Sequence, residues 1–374
     1  MEYKKLRVII SGGGTGGHIF PAVSIAGKLK EVNPDTEILF VGAEGKMEME
    51  KVPAAGYRIV GLPITGLQRK LTLKNILNDL LVPFKVVYSF FKACRIIKEF
   101  KPDVAIGVGG YASAPLLFAA VWKKVPSLIQ EQNGFAGLTN KLLGGKVDCI
   151  CVAYDGMSKF FPAEKIVFSG NPIRPEIHPF TGEDRAKGLE YYGFTEGKRH
   201  LLIVGGSLGS GTLNKAMKNW IAAGCPNGED VEILWQCGKW YKDDIDVFMK
   251  GRELPNVKYT DFIGRMDLAY AMADVMISRS GASSISEICA AHKAAVLVPS
   301  PNVAEDHQTH NALALVNRNA GIIVRDAEAP RTLLPIALDL IHDQERIDRI
   351  EKNVAPLAKL NAAGTIVDEV YKLV

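Results

Sequence analysis

Twice in this chain a short apolar run ends in a glycine-rich loop and passes into a helix-length amphipathic stretch, and this recurrence constrains the fold more than any other feature. The first run, Leu6 to Ile10, leads into Ser11-Gly-Gly-Gly-Thr-Gly-Gly-His18; the second, Leu201 to Val204, leads into Gly205-Gly-Ser-Leu-Gly-Ser-Gly211. Strands covered on both faces read as continuous apolar runs and are joined by crossover helices, so the pattern predicts parallel sheets. Further strands are expected at Glu37 to Val41, Tyr57 to Gly61, Val104 to Val108, Ser127 to Gln130, Cys149 to Val152 and Ile166 to Ser169. After the restart they are expected at Glu232 to Gln236, Val257 to Thr260, Val275 to Ser278, Ala295 to Val298 and Ile322 to Val324. The fold class is α/β, with two Rossmann-like, doubly wound parallel-sheet domains.

The chain's 374 residues exceed what one hydrophobic core usually organises, which fits two domains. Between the halves lies Asn171-Pro-Ile-Arg-Pro-Glu-Ile-His-Pro179, whose prolines hold the preceding residues extended and suit a connection. A net charge of +4 is too balanced for a surface that coats nucleic acid, so no nucleic-acid partner is expected. The six cysteines show no CxxC pairing, which predicts reduced thiols and no structural zinc. Met1 to Arg7 lacks the apolar core of a secretory signal. The uncharged stretch Val104 to Trp122 is broken by Gly107, Gly109, Gly110, Ser113 and Pro115 and reads as strand, glycine turn and helix rather than a membrane span.

In the first loop Gly12, Gly14 and Gly17 satisfy GxGxxG spacing directly before a helix, where glycines admit a close backbone approach and the helix start offers free N–H groups. A dinucleotide site also needs an acid at the end of the second strand; Glu37 begins that strand and Glu44 lies beyond it. The Gly-Lys-Ser/Thr ending of a P-loop is absent, His18 standing in its place. A third loop, Gly107-Val-Gly-Gly-Tyr-Ala-Ser-Ala-Pro115, also follows a strand. Three such loops at carboxyl strand ends point to a ligand site, expected in a cleft between the domains.

Gly12-Gly-Gly-Thr-Gly-Gly-His18, Gly109-Gly-Tyr-Ala-Ser113, Glu131-Gln-Asn-Gly134, Gly170-Asn-Pro-Ile-Arg174, Gly205-Gly-Ser207, Ser278-Arg-Ser-Gly-Ala-Ser-Ser-Ile-Ser-Glu287 and Asp306-His-Gln308 follow one another in an order that resembles the MurG family of glycosyltransferases over essentially the whole chain. The resemblance implies the GT-B fold and inverting transfer of N-acetylglucosamine from UDP-GlcNAc to lipid I, giving lipid II. It implies an acceptor and membrane-facing domain at 1–172, a UDP-GlcNAc-binding domain at 173–356, and a final helix at about 357–374 packing back on the first. It further implies donor contacts at Thr15, Gly16, Gly17, Asn133, Arg174, Ser207, Ile263, Ala282, Ser283, Ser284, Ile285, Ser286, Glu287 and Gln308. Glu287 suits two ribose hydroxyls, Ile263 would meet uracil through its backbone, and Gln308 has both amide ends for sugar hydroxyls. Ser283, Ser284, His307 and His310 lie at positions that bear on sugar selectivity.

Inversion requires a base for the acceptor hydroxyl, and His18 and Glu131 are the catalytic candidates, an imidazole being suited to proton transfer near neutral pH. His18 has an alternative role in bonding the helix start, and Glu131 in orienting a neighbour. Gly109, Gly110 and Tyr111 belong to the acceptor face implied by the resemblance. Asp244-Ile-Asp246 sits in a charged run far from any glycine loop and reads as a solvated helix face, so no metal and no cofactor are expected, helix N-termini supplying the electrostatics. Competing functions are a UDP-GlcNAc 2-epimerase, a glycolipid synthase, and a nucleotide-sugar-binding regulator without turnover.

A lipid-linked acceptor places the protein peripherally on the cytoplasmic face of the bacterial cell membrane. Gln68 to Lys101 carries eight basic residues against Asp79 and Glu99, with apolar residues at helical spacing interrupted at Pro83. Lys74, Phe84, Lys85, Phe91 and Lys92 are the residues expected to face an anionic membrane surface. The other reading of this stripe is a core-facing helix pair with solvated lysines.

Overall fold

A computed structural model of the protein describes residues 3–65, 82–206 and 208–374. The chain divides into two compact units, Met1–Ile173 with Asn361–Val374, and Arg174–Leu360.

The first unit holds β1 (Arg7–Ser11), β2 (Glu37–Ala43), β3 (Arg58–Leu62), β4 (Val104–Gly107), β5 (Ser127–Glu131), β6 (Cys149–Val152) and β7 (Ile166–Phe168). They form one parallel sheet in the order β3-β2-β1-β4-β5-β6-β7. The period-two alternation of strand side chains divides its core into two layers. Val8 and Ile10 pack with Ile19, Ile25 and Leu29 of the helix Gly16–Val32 and with Ile366 and Val370 of the helix Ala362–Lys372. Ile9 packs on the opposite face with Leu116 and Leu117 of the helix Ser113–Trp122 and with Ala93 and Ile97 of the helix Val82–Phe100. The last helix is further tied down by Tyr3, whose hydroxyl donates to Asp368 at 2.6 Å, and by Tyr371, which donates to the Lys4 carbonyl at 2.8 Å.

The second unit holds β8 (Arg199–Val204), β9 (Val231–Gln236), β10 (Val257–Thr260), β11 (Val275–Ser278), β12 (Ala294–Leu297) and β13 (Ile322–Ile323), parallel in the order β10-β9-β8-β11-β12-β13. In each sheet the order reverses beside the first strand, between β1 and β4 and between β8 and β11. Open parallel sheets bind ligands beyond the carboxyl ends at that reversal. The three glycine loops, after β1, β4 and β8, all lie there.

One local reading changes. β2 runs on through Gly42 and Ala43, which pair with Gly61 and Leu62 of β3, so Glu44 stands directly at the carboxyl end of β2 rather than beyond it. Small residues carry no apolar signal while the backbone ladder continues. The Glu44 carboxylate is ion-paired with Lys92 at 2.9 Å. Pro83 is the second described residue of the helix Val82–Phe100, and residues 66–81 before it lie outside the described residues. All six cysteines are free thiols.

Candidate active site

In the first unit, β1 delivers the chain into a loop in which Gly14 has φ +84° and Thr15 is the extended residue before the helix Gly16–Val32. Gly16 and Gly17 are that helix's first residues, and His18 follows in the same turn. His18 Nδ1 lies 3.0 Å from the Gly13 carbonyl and 3.3 Å from Thr15 Oγ1. The loop after β4 packs against this one: Gly13 N–H donates to the Gly109 carbonyl at 3.3 Å. Gly109 and Gly110 have φ +94° and +91°. A Cβ on Gly109 would lie 2.8 Å from His18 Cδ2, so glycine is needed there for close approach as well as for its backbone. Tyr111 beside them is exposed.

Glu131, at the end of β5, is only 2 % exposed. Its Oε1 accepts from Asn133 N–H at 3.1 Å, and its Oε2 accepts from Gly137 N–H at 3.0 Å and Asn140 Nδ2 at 2.8 Å. The carboxylate is the clasp of the loop carrying Asn133. Donors already occupy both of its oxygens, an arrangement that suits orientation rather than proton transfer.

In the second unit, Arg174 binds Glu287 with a two-point fork, Nε to Oε1 at 2.7 Å and Nη2 to Oε2 at 2.6 Å. The buried Tyr270 hydroxyl donates to Oε2 at 3.3 Å. Burial works to lower the Arg174 pKa, but the paired carboxylate outweighs it and the guanidinium is held above its ordinary value. Burial first, then the Glu287 charge, push Tyr270 well above the usual phenol range. Ala282, Ser283 and Ser284 open the helix Ala282–Ala290, whose first-turn N–H groups have no acceptor four residues back. Glu287 lies in that helix's second turn, too deep to be a first-turn dipole complement. Ile285 is buried and its N–H is spent on the Gly281 carbonyl at 3.0 Å, which leaves it packing rather than contacting a ligand; Ser286 is half-buried. Ile263 also buries its side chain, and among the described residues its backbone N–H and C=O have no protein partner.

Gln308 does not keep both amide ends available. Its Oε1 accepts from Ser300 N–H at 2.9 Å, fixing the segment after β12, so of the two amide ends only Nε2 has no partner among the described residues. Ser207 lies outside the described residues, as does Lys74.

Sequence reasoning missed the braces of these loops. Glu48, fully buried, accepts from Gly14 N–H at 2.8 Å and Ala43 N–H at 3.0 Å. Gln236 accepts from Gly205 N–H at 2.9 Å, and its amide donates to the Gly206 and Asp261 carbonyls, each at 2.8 Å. Arg279 donates to the Val298 carbonyl at 3.0 Å and pairs with Asp326 at 2.6 Å. A polar residue closing a buried strand, the signal that flagged Glu131, would have flagged Gln236. Within its charged run, Glu48 gives no such signal.

Of the expected membrane segment, the described part is the helix Val82–Phe100. Phe84 is 74 % exposed, Tyr88 63 % and Phe91 60 %, while Ser89, Ala93, Ile96 and Ile97 face inward. Phe84, Tyr88 and Phe91 therefore do not face the core. Trp122 is exposed too and stacks on Phe90 with ring centroids 5.2 Å apart. Among the described residues no helix is long and apolar enough to cross a membrane. Asp244 is paired with Lys218 at 3.1 Å and Asp246 with Lys242 at 2.5 Å.

The N-terminal domain of glycosyltransferase family 28 matches residues 8–152, and the family's C-terminal domain matches residues 200–368. A Bacteroides fragilis protein named UDP-N-acetylglucosamine--N-acetylmuramyl-(pentapeptide) pyrophosphoryl-undecaprenol N-acetylglucosamine transferase is 54% identical over 372 residues, covering 98% of this chain and 96% of that one. A Parabacteroides distasonis protein of the same name is 50% identical, covering 99% of both chains. The crystal structure of Acinetobacter baumannii MurG matches with a TM-score of 0.78 at 27% identity, covering 99% of this chain and 100% of that one.

Proposed function

The chain belongs to glycosyltransferase family 28, and from that membership we propose that it transfers N-acetylglucosamine from UDP-GlcNAc to lipid I, undecaprenyl-pyrophosphoryl-MurNAc-pentapeptide, forming lipid II with inversion. The observation that carries the reading is full-length identity above one half with a relative named for that reaction.

In this reading the second unit holds the nucleotide. Ile263 offers its backbone pair to uracil, and Glu287 with Arg174 forms the polar floor for ribose. The first turn of the helix Ala282–Ala290 and the loop after β8 bear on the diphosphate, with fixed N–H dipoles stabilising the negative charge that builds on the leaving group. Gln308 Nε2 addresses the sugar. The first unit supplies the base. His18 takes the acceptor hydroxyl's proton as that oxygen bonds to the anomeric carbon, and the bond from that carbon to the diphosphate breaks with its electron pair leaving on UDP. Glu131 orients Asn133, and Thr15, Gly16 and Gly17 lie beside His18 at the start of the helix Gly16–Val32. An assay with UDP-GlcNAc and lipid I decides: acceptor-dependent UDP release with a β-linked disaccharide product supports transfer. Conversion of the donor without acceptor would indicate an epimerase, and binding without turnover a regulator.

The exposed face Phe84, Tyr88 and Phe91, edged by Lys85 and Lys92, supports peripheral attachment to the cytoplasmic leaflet. Aromatic rings enter the interface shallowly, and each nearby cation adds about 1 kcal/mol of attraction to anionic lipid.

A further inference from the structure

No step above uses Glu48, yet it is the most completely enclosed carboxylate near the first glycine loop, with no exposed surface. Its two oxygens join two segments, Oε1 receiving Ala43 N–H at the end of β2 and Oε2 receiving Gly14 N–H. The surroundings are cut to fit it. A Cβ on Gly13 would lie 2.2 Å from Glu48 Oε1, and one on Gly42 would lie 2.6 Å from its Cγ. On the opposite side a Cβ on Gly110 would lie 2.4 Å from the Gly13 carbonyl oxygen. The Gly13 peptide is therefore gripped between Glu48 and the loop after β4.

That peptide carries the carbonyl 3.0 Å from His18 Nδ1. A carbonyl only accepts, so Nδ1 must bear the proton, and in the neutral ring the lone pair is then on Nε2. We propose that Glu48 is a positioning residue for the base: by fixing the Gly13–Gly14 backbone it selects the His18 tautomer and ring orientation in which Nε2 receives the acceptor's proton. Both carboxylate oxygens must accept, because both face N–H donors. Glutamine has one acceptor and would turn an NH₂ toward the other donor, losing one bond and adding a donor–donor conflict. The inference rests on His18 being the base.

The test uses the full chain and compares wild type, Glu48→Gln, Glu48→Asp and His18→Ala by steady-state kinetics, UDP affinity and imidazole ¹⁵N chemical shifts, with His18→Ala assigning the His18 signals. Glu48→Gln is expected to bind UDP as wild type does. Its kcat should fall about 10- to 100-fold with acceptor KM little changed, the scale of a displaced proton-transfer group. Its His18 shifts should move from the Nδ1–H pattern toward a tautomer mixture. Glu48→Asp keeps the charge but falls one methylene short of spanning both donors, and serves if the Gln variant does not fold; it is expected to show the same shift change in milder form. A folded Glu48 variant with wild-type kcat and an unchanged Nδ1–H pattern overturns the positioning role while leaving His18 as base. Wild-type kcat in His18→Ala overturns the base assignment and this inference with it.

Discussion

The loops after β1 and β8 occupy equivalent places in their sheets, and each has a backbone N–H held by a side chain from a neighbouring segment. In the first unit the brace is Glu48, a carboxylate accepting from Gly14 at 2.8 Å. In the second it is Gln236, a neutral amide accepting from Gly205 at 2.9 Å. A carboxylate places negative charge where a phosphate would otherwise find a positive loop and helix start, whereas an amide leaves that potential intact. One architecture thus supports two tasks. In the proposed reading the first loop orients neutral hydroxyls and a base, and the second receives a diphosphate.

The largest test of this division is His18→Ala, which should lower kcat by about 10²- to 10⁴-fold while leaving UDP affinity unchanged. A variant impaired in UDP binding instead would move phosphate recognition into the first unit. Glu287→Ala should do the converse and weaken UDP affinity by roughly 1.5–3 kcal/mol, because ribose loses its acceptor and Arg174 its partner. Calorimetry showing wild-type affinity would remove Glu287 from the donor site.

Exchanging the braces sharpens the comparison. Gln236→Glu presents an anion to the second loop and sets an oxygen against the Gly206 and Asp261 carbonyls that now receive its amide. UDP affinity should drop about tenfold, near 1.4 kcal/mol. Affinity equal to wild type would mean that the charge of the brace is immaterial. Reversing Lys85 and Lys92 should weaken binding to anionic vesicles by about 1 kcal/mol each, less for Lys92, which is paired with Glu44, with UDP affinity intact. Cosedimentation equal to wild type would take this helix off the membrane face.

The smallest expected effect concerns acid. At the amino edge of the second sheet the fully buried His200 lies 3.2 Å from Glu232, and Arg185 pairs with Asp274 at 2.8 Å. Burial works to raise the pKa of Asp274, but its bonds to His200 and Arg185 prevail and the carboxyl is held below its ordinary value. For Glu232 burial is likewise outweighed, here by Thr195 N–H and O–H, Lys198 and His200. Folded pKa values below the unfolded ones mean stability that is present above the usual carboxylate range and lost as pH falls through the depressed values. The second unit should therefore lose on the order of 1 kcal/mol on acidification below about pH 4, and Asp274→Asn should flatten that dependence. Fluorescence of the buried Trp235 follows it, and an identical acid profile in both proteins would count against the network.

The strands were legible because strands buried on both faces, such as Val8 to Ile10 and Val275 to Ile277, are unbroken apolar runs, and glycines mark where each run ends. Gly42 and Ala43 show the limit: their place in β2 depends on β3 across the ladder, which no window of sequence contains. In the site, motif residues such as His18 and Glu287 could be named in advance because the order of the motifs that carry them resembles a known family, with glycine loops and a helix start beside them in the chain. Their partners could not. Glu48 reaches Gly14 from 34 residues away, and Gln236 reaches Gly205 from 31. The occupation of Gln308 Oε1 by Ser300 and of Ile285 N–H by Gly281 are facts of geometry that residue type leaves open.

The helix Ala362–Lys372 completes the first unit only after all of the second unit has been synthesised. Until it arrives, the apolar layer formed by Leu6, Val8, Ile10 and Ile19 lacks Ile366, Val367, Val370 and Tyr371. During translation the first-made unit therefore stays open along one face while the second has its whole sequence in hand. A ribosome that stops short of this segment releases a chain whose first unit exposes that layer, and such a product is marked for aggregation or proteolysis rather than left as a half-active enzyme.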